Sequence, residues 1–329
     1  MCEKKYKVVL TDADRFPLTE ANRAALVEIG AEITETPYGM SEDAFAEACR
    51  DADAILVYST KITSSLVSRM EKCKIIARCG TGYDNINVAA AVDRGIVVTY
   101  VPDYCIEEVS DHTVALMMDC WRRISKSNSR VKDGHWDNYQ QLGTIHRIAG
   151  QKVGFLGFGR IAQAVARKLQ GFHVHLQSYD PYASPANMHQ VGVEAATFEQ
   201  VIQSSDVLTL HTPLTEETRH FIDRSVLARM KPGAILINAS RGELVNETDL
   251  IHALQSGHIA LAGLDVCEQE PPLAHNPLLS MDNVVITPHS AAFSEEALIE
   301  LNNLAVKEII RKFNGLLPLA EVPFSVRPH

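Results

Sequence analysis

From Tyr6 onward, short apolar runs rich in β-branched residues alternate with segments whose apolar positions recur at helical spacing. Residues 6–10, 31–34, 54–58, 74–80 and 96–100 read as strands, with 18–30, 41–50, 64–70 and 87–95 as the helices between them. Such alternation predicts a parallel sheet covered by helices on both faces. Pro102 interrupts the pattern, and residues 106–126 then read as one long, largely apolar helix, followed by a polar stretch with Gly134, Trp136 and Gly143. A second series of apolar runs, at 152–157, 173–180, 206–212, 234–240, 259–266 and 283–289, predicts a second open α/β sheet. The last amphipathic segment, Ser294 to Phe313, opens with Ser and two early Glu in the manner of a capped helix.

A chain of 329 residues suits two domains. Its 31 basic and 41 acidic side chains give a formal charge of -10, which argues against a surface for nucleic acid. No apolar run approaches the roughly 18 residues needed to cross a bilayer. The charged start MCEKKYK runs into a strand rather than a signal peptide, so a cytoplasmic protein without membrane partners is expected. Seven cysteines, odd in number and without a C-x-x-C pair, suggest reduced thiols and no zinc knuckle. His173 and His175 read as one face of one strand, but no third ligand stands at a familiar spacing; solvent-facing histidines and no metal site are expected.

The clearest chemical signal is Gly157-Phe158-Gly159-Arg160-Ile161-Ala162, directly after the apolar run 152–156 and at the start of a helix expected over 160–171. Gly157 allows the tight turn, Gly159 lets backbone approach a pyrophosphate, and Ala162 lets the helix pack closely on the strand. The next strand ends at Asp180, 18 residues past Ala162, where a carboxylate can accept from adenosine ribose hydroxyls and repel the extra phosphate of NADP. NAD is the expected cofactor. Asp180 could equally open an Asp-Pro turn with Pro181.

Beyond this point the chain resembles the D-isomer-specific 2-hydroxyacid dehydrogenases over nearly its whole length. The resemblance is carried by Arg78-Cys-Gly-Thr-Gly-Tyr-Asp-Asn85, Gly157 to Ala162 with Asp180, and His211-Thr-Pro-Leu-Thr-Glu-Glu-Thr218. It continues through Asn238-Ala-Ser-Arg-Gly242, Leu264-Asp-Val-Cys-Glu-Gln-Glu-Pro271 and Thr287-Pro-His289. It implies a Rossmann NAD domain, residues 103–289, inserted into a flavodoxin-like, discontinuous substrate domain of residues 1–102 and 290–329, with substrate bound between the lobes and a homodimer formed through the NAD domain. The apolar side of the long helix around Val114 to Cys120 suits a core or such an interface equally.

The resemblance also implies that Arg241, Glu270 and His289 are catalytic. Hydride delivered to the carbonyl carbon of a 2-keto acid leaves charge on oxygen, which a protonated imidazole can neutralise. Glu270 would orient that imidazole and favour its cation, and the planar fork of Arg241 would hold the substrate carboxylate. Read singly, His289 is an ordinary loop histidine, Arg241 a carbonyl cap or a partner of Glu243, and Glu270 an exposed loop charge. Arg78, Thr81 and Gly82 are implied in substrate binding, with Thr81 and Gly82 offering backbone N–H groups, unless that segment is a plain strand-to-helix turn. Thr113, Thr212, Pro213, Thr218, Ala239, Ser240 and Asp265 are implied as further cofactor contacts, with packing or helix capping as the alternative for Asp265.

Within the family, residues 102–113 and 289–295 look most like the branch of the C-terminal binding protein corepressors, which typically carry Trp and Tyr where Ala292 and Phe293 stand. Ala292 implies a roomier pocket. The competing function is therefore an NADH-sensing, corepressor-like binding protein with weak or no dehydrogenase activity. Formate or phosphite oxidation is a third option in the same superfamily, disfavoured because Glu270 stands where Gln is the familiar partner. Longer phosphoglycerate dehydrogenases add C-terminal regulatory domains, and serine feedback through one is not expected here. No G-x-S-x-G elbow is present for a serine nucleophile.

Overall fold

Burial on both faces explains the continuous apolar runs of the first sheet. Tyr6–Leu10 (β1), Ala31–Glu35 (β2), Ala54–Val57 (β3), Ile75–Arg78 (β4) and Val97–Thr99 (β5) pair entirely in parallel, in the order β2-β1-β3-β4-β5. Successive residues point to opposite sides. Val9, Ile55, Val57, Ile76 and Val98 pack on the helices Glu42–Cys49 and Ser64–Arg69, while Val8, Leu10, Leu56, Ile75 and Ala77 form the other core with Leu26, Leu301, Val306 and Ile309. Leu301 and Ile309 belong to the last helix, Glu295–Phe313, whose N-cap Ser294 accepts from the Ala297 N–H. The computed structural model describes residues 6–136 and 139–323 of the chain. It divides into two compact units, Met1–Tyr104 with Ser294–His329, and Cys105–Phe293.

The second unit contains Lys152–Leu156 (β6), His175–Tyr179 (β7), Val193–Ala195 (β8), Val207–Leu210 (β9), Ala234–Asn238 (β10), Ile259–Leu264 (β11) and Val284–Ile286 (β12). They form one parallel sheet in the order β12-β11-β10-β9-β6-β7-β8. The order reverses between β6 and β9, the point at which open α/β sheets leave a crevice beyond their strand carboxyl ends. One face packs Phe155, Ile237 and Leu261 against Leu116, Met117 and Trp121 of the helix Ile106–Arg122 and Val165 of the helix Arg160–Leu169. The apolar side of the long helix is therefore core.

Three expectations change. Residues 106–126 are not one helix: Ile106–Arg122 ends where Arg123 adopts left-handed backbone at φ 55°, and a second helix spans Ile124–Lys132. Asp119 secures the break by accepting from the Ser125 N–H at 2.8 Å and from its hydroxyl. His173 is not on a strand. It is left-handed at φ 56°, closes a short 3-10 turn Gln170–Phe172 that ends the Arg160 helix early, and precedes a strand that starts at His175. Both histidines are exposed. The edge strand Val193–Ala195 was not expected from the pattern, since only Val193 of its three residues is buried.

The six cysteines among the described residues are free thiols, and Cys2 lies outside them. Among the described residues no helix is long and apolar enough to cross a membrane, and no cluster of His, Cys, Asp and Glu could hold a metal ion.

Candidate active site

Because all strands of the second unit are parallel, their carboxyl ends share one edge, and the loops leaving β6, β7, β9, β10, β11 and β12 carry most of the expected site residues. Gly157 leaves β6 with φ +90°, and a Cβ there would stand 2.6 Å from the His211 carbonyl oxygen beyond β9. Only glycine lets the two strand ends meet so closely. A Cβ on Gly159, the N-cap of the helix Arg160–Leu169, would meet nothing within 4 Å. The helix start has no side-chain cap and no acidic residue in its first turn, so its N–H groups and positive dipole end suit a pyrophosphate. Ala162 is fully buried against the sheet, while Phe158 is buried beside Phe155, leaving its backbone for the loop.

Asp180 combines the two readings open from sequence. Its Oδ1 accepts from the Tyr182 and Ala183 N–H groups at 2.7 and 3.1 Å, which is the Asp-Pro turn, and its Oδ2 accepts from the Phe158 N–H at 2.7 Å. The carboxylate therefore sits against the glycine loop, where ribose hydroxyls can reach Oδ2. Uncapped N–H groups, open space over Gly159 and a nearby carboxylate fit a dinucleotide. At the neighbouring strand ends, the Thr212 hydroxyl donates to Leu156 O at 3.0 Å and the Ser240 hydroxyl to Thr212 O at 2.8 Å, tying β6, β9 and β10 together. Thr218 donates to Pro213 O at 2.8 Å and shapes the exposed turn after β9. Ala239 is half-buried beside Ser240, and Arg160 and Ile161 open the Arg160 helix. Thr113 stands apart: it is fully buried and its hydroxyl donates to Val109 O within its own helix.

The structure brings Arg241, Glu270 and His289 together. The Glu270 Oε2 and His289 Nδ1 are 2.7 Å apart, and Oε1 accepts from the Cys267 N–H at 3.1 Å. An ionised carboxylate only accepts, so the imidazole proton in this bond is on Nδ1 and Nε2 is the nitrogen left for exchange. Burial pushes the Glu270 carboxyl up, but the hydrogen bond and charge of His289, then the Cys267 N–H and the Arg241 charge, together hold it below the ordinary carboxylate range. Arg241 follows β10: Asn238 Nδ2 donates to its carbonyl oxygen at 2.8 Å, and its Nη1 donates to Ser240 O at 2.9 Å. The next residue, Gly242, is pressed so closely on the loop after β11 that a Cβ would lie 1.9 Å from Cys267 O. That contact sets the spacing between the Arg241 and Glu270 loops.

Asp265, expected as a cofactor contact or as a packing or capping residue, directly follows β11. It is buried, and its oxygens accept from the Thr287 hydroxyl at 2.6 Å and from the Ser290 and Ala291 N–H groups, both at 2.9 Å. These bonds tie the end of β11 to the loop around His289. Sequence reasoning missed Thr287 and His112, whose Nε2 lies 2.9 Å from the Thr287 hydroxyl oxygen. Also missed was His211, stacked on Phe155 and within 3.0 Å of the Thr209 hydroxyl; burial pushes its pKa down to about 3, so it is neutral at physiological pH.

In the first unit, Arg78 ends β4. Its Nε donates to Asn85 Oδ1 at 3.1 Å and its Nη1 to Cys79 O, while Asn85 Nδ2 donates to Tyr58 O and Thr60 O, both at 3.0 Å. Thr81 donates to Val101 O at 3.2 Å, and half-buried Gly82 follows it. All three expected residues thus cluster beyond one strand end of that unit.

Comparison with known proteins identifies the family. The description "D-isomer specific 2-hydroxyacid dehydrogenase, NAD binding domain" matches residues 114–291. The D-3-phosphoglycerate dehydrogenase of Methanocaldococcus jannaschii is 37% identical over 313 residues, covering 94% of this chain and 58% of its own length. The glyoxylate reductase of Korarchaeum cryptofilum is 38% identical over 281 residues, covering 84% of this chain and 85% of its own. Among solved structures, the Aquifex aeolicus D-lactate dehydrogenase complexed with NAD and lactic acid superimposes with a TM-score of 0.84 at 28% identity, covering 94% of this chain and 96% of that one. The chain belongs to the D-isomer specific 2-hydroxyacid dehydrogenase family and carries its NAD-binding domain. It spans little more than half the length of the phosphoglycerate dehydrogenase it matches.

Gly157→Ala tests the cofactor loop. The added methyl meets the His211 carbonyl and the left-handed backbone disfavours it, so NADH binding followed by fluorescence titration should weaken about tenfold. Binding within twofold of the parent would mean that the turn does not need glycine.

Proposed function

We propose that this chain is an NAD-dependent dehydrogenase that interconverts a 2-keto acid and a D-2-hydroxy acid. The observation that carries the reading is the 2.7 Å pairing of His289 Nδ1 with Glu270, which leaves Nε2 as a proton donor on the loop edge that also bears Arg241 and the glycine turn. NADH, when bound along Gly157 to Ala162 and Asp180, supplies the hydride. The chain's own groups do the rest. His289 Nε2 gives its proton to the carbonyl oxygen in reduction and takes it back in oxidation. Glu270 keeps the Nδ1 proton in place and favours the imidazolium by its charge. Arg241 offers donors to the substrate carboxylate, and in the first unit Arg78, Thr81 and Gly82 offer further donors for an anionic substrate.

A homodimer through the second unit belongs to the same reading. The helix Ile124–Lys132 buries none of its residues, and Trp136 just beyond it is 90% exposed, so this face supports contact with a second copy.

The test is NADH oxidation with glyoxylate, pyruvate, hydroxypyruvate, 3-phosphohydroxypyruvate and longer 2-keto acids, repeated with NADPH. Turnover on at least one acid, faster with NADH because Asp180 repels an added phosphate, is the expected result. Tight NADH binding without turnover on any of them would replace the enzyme by a nucleotide-sensing protein.

A further inference from the structure

Three elements of the second unit meet beneath the loop that carries His289. We propose that His112, on the helix Ile106–Arg122, is a positioning residue for that loop, acting through Thr287 and Asp265; the inference rests on the reading of His289 as the acid and base.

The direction of each bond follows from the donors present. The Asp265 carboxylate only accepts, so the 2.6 Å bond from Thr287 uses the one hydroxyl proton that threonine has. The 2.9 Å contact between His112 Nε2 and the same hydroxyl oxygen must then run from an Nε2–H, which fixes the His112 tautomer. That Nε2 is also 3.5 Å from Asp265 Oδ1. Asp265 in turn grips the backbone at and just after the catalytic imidazole: its carbonyl oxygen accepts from the His289 N–H at 2.8 Å, and its carboxylate accepts from the Ser290 and Ala291 N–H groups. This grip steadies His289 in a left-handed conformation, φ 51°, that few non-glycine residues adopt.

His112 touches none of the reacting groups. It faces Asp265, whereas Glu270 is hydrogen-bonded to His289 and lies within reach of the Arg241 charge. Loss of the His112 donor frees the Thr287 hydroxyl to turn, loosens Asp265 and lets His289 drift from Glu270. A weaker pairing leaves the imidazole less well aimed at the carbonyl oxygen, so kcat falls while KM holds.

The experiment compares His112→Leu, His112→Gln, Thr287→Val and the Leu and Val double variant in the full chain, on a keto acid the parent reduces. His112→Leu should bind NADH as the parent does and lower kcat about tenfold with little change in KM. Glutamine places a donor nitrogen where Nε2 stands and should recover most of the loss. The double variant should be no worse than the poorer single variant, because both changes break one chain of bonds. If His112→Leu does not fold, Thr287→Val and the glutamine variant still read the same kcat-against-KM split and the same rescue. A parent-like kcat in His112→Leu, glutamine as harmful as leucine, or fully additive losses would each overturn the proposal. His289→Ala, run beside them, separates the two ideas: if it stays active, the acid-base reading fails, and if it is inactive while His112→Leu is unaffected, only the positioning role fails.

Discussion

Replacing His289 by alanine should lower kcat for keto acid reduction about a thousandfold while NADH binding stays within a few-fold of the parent. The loss is in chemistry because the side chain stands on the loop after β12, away from the glycine turn after β6 that fits the dinucleotide. The pH dependence gives the sign. Glu270 is held below the ordinary carboxylate range, so its charged pairing with His289 persists as pH falls through that range and is lost only at still lower pH, where the carboxylate takes up its proton and activity falls. Glu270→Gln keeps an acceptor for Nδ1 but removes the negative charge. The acid-side loss that belongs to the Glu270 carboxylate should then disappear from the profile, while kcat falls because the imidazole has lost its charged partner. Paired profiles of kcat/KM for the parent and both variants check this; an alanine variant that keeps a tenth of parental kcat would eliminate His289 as the proton donor.

The two sheets were legible because their central strands are buried on both faces and so appear as unbroken apolar runs bounded by polar helix starts. The break at Arg123 was not, since arginine is no signal for left-handed backbone and the apolar pattern runs past it to Ile124. His173 was misread for the same reason: its alternation with His175 looks like a strand, but a positive φ ends the preceding turn there. Local words carried much of the site. The glycine turn and Asp180 could be read from spacing alone, whereas Arg241, Glu270 and His289 stood out through family resemblance. What no local pattern could give was which side chains meet. Glu270 and His289 are 19 positions apart and His112 and Thr287 are 175 apart, and only the parallel sheet brings each pair to one edge. Asp265 shows the limit most clearly, because its sequence reading as a cofactor contact says nothing of the three loop donors it holds after β12.

Arg241→Lys should lower kcat/KM for the keto acid about a hundredfold or more, although it keeps the positive charge. The backbone at this position is already fixed, by Asn238 on its carbonyl and by Gly242 against Cys267, so the substitution changes little beyond the side chain's reach and geometry. One guanidinium nitrogen is engaged by Ser240 O, which steadies the plane of the fork. A guanidinium can present parallel donors to a carboxylate while donating to that carbonyl; an ammonium is a point charge on a flexible stem and must choose between them. Both kcat and KM should therefore suffer, because the group that orients the ground-state carboxylate also lies close enough to Glu270 to act on its charge. Arg241→Ala goes further. It removes a cation that helps hold Glu270 ionised, so the Glu270 carboxyl rises toward the ordinary range and the His289 pairing weakens from the acid side as well. Steady-state kinetics on one keto acid, with NADH affinity measured separately, distinguishes these effects. A lysine variant within threefold of the parent would mean that charge alone suffices and that the planar fork has no part in holding the substrate.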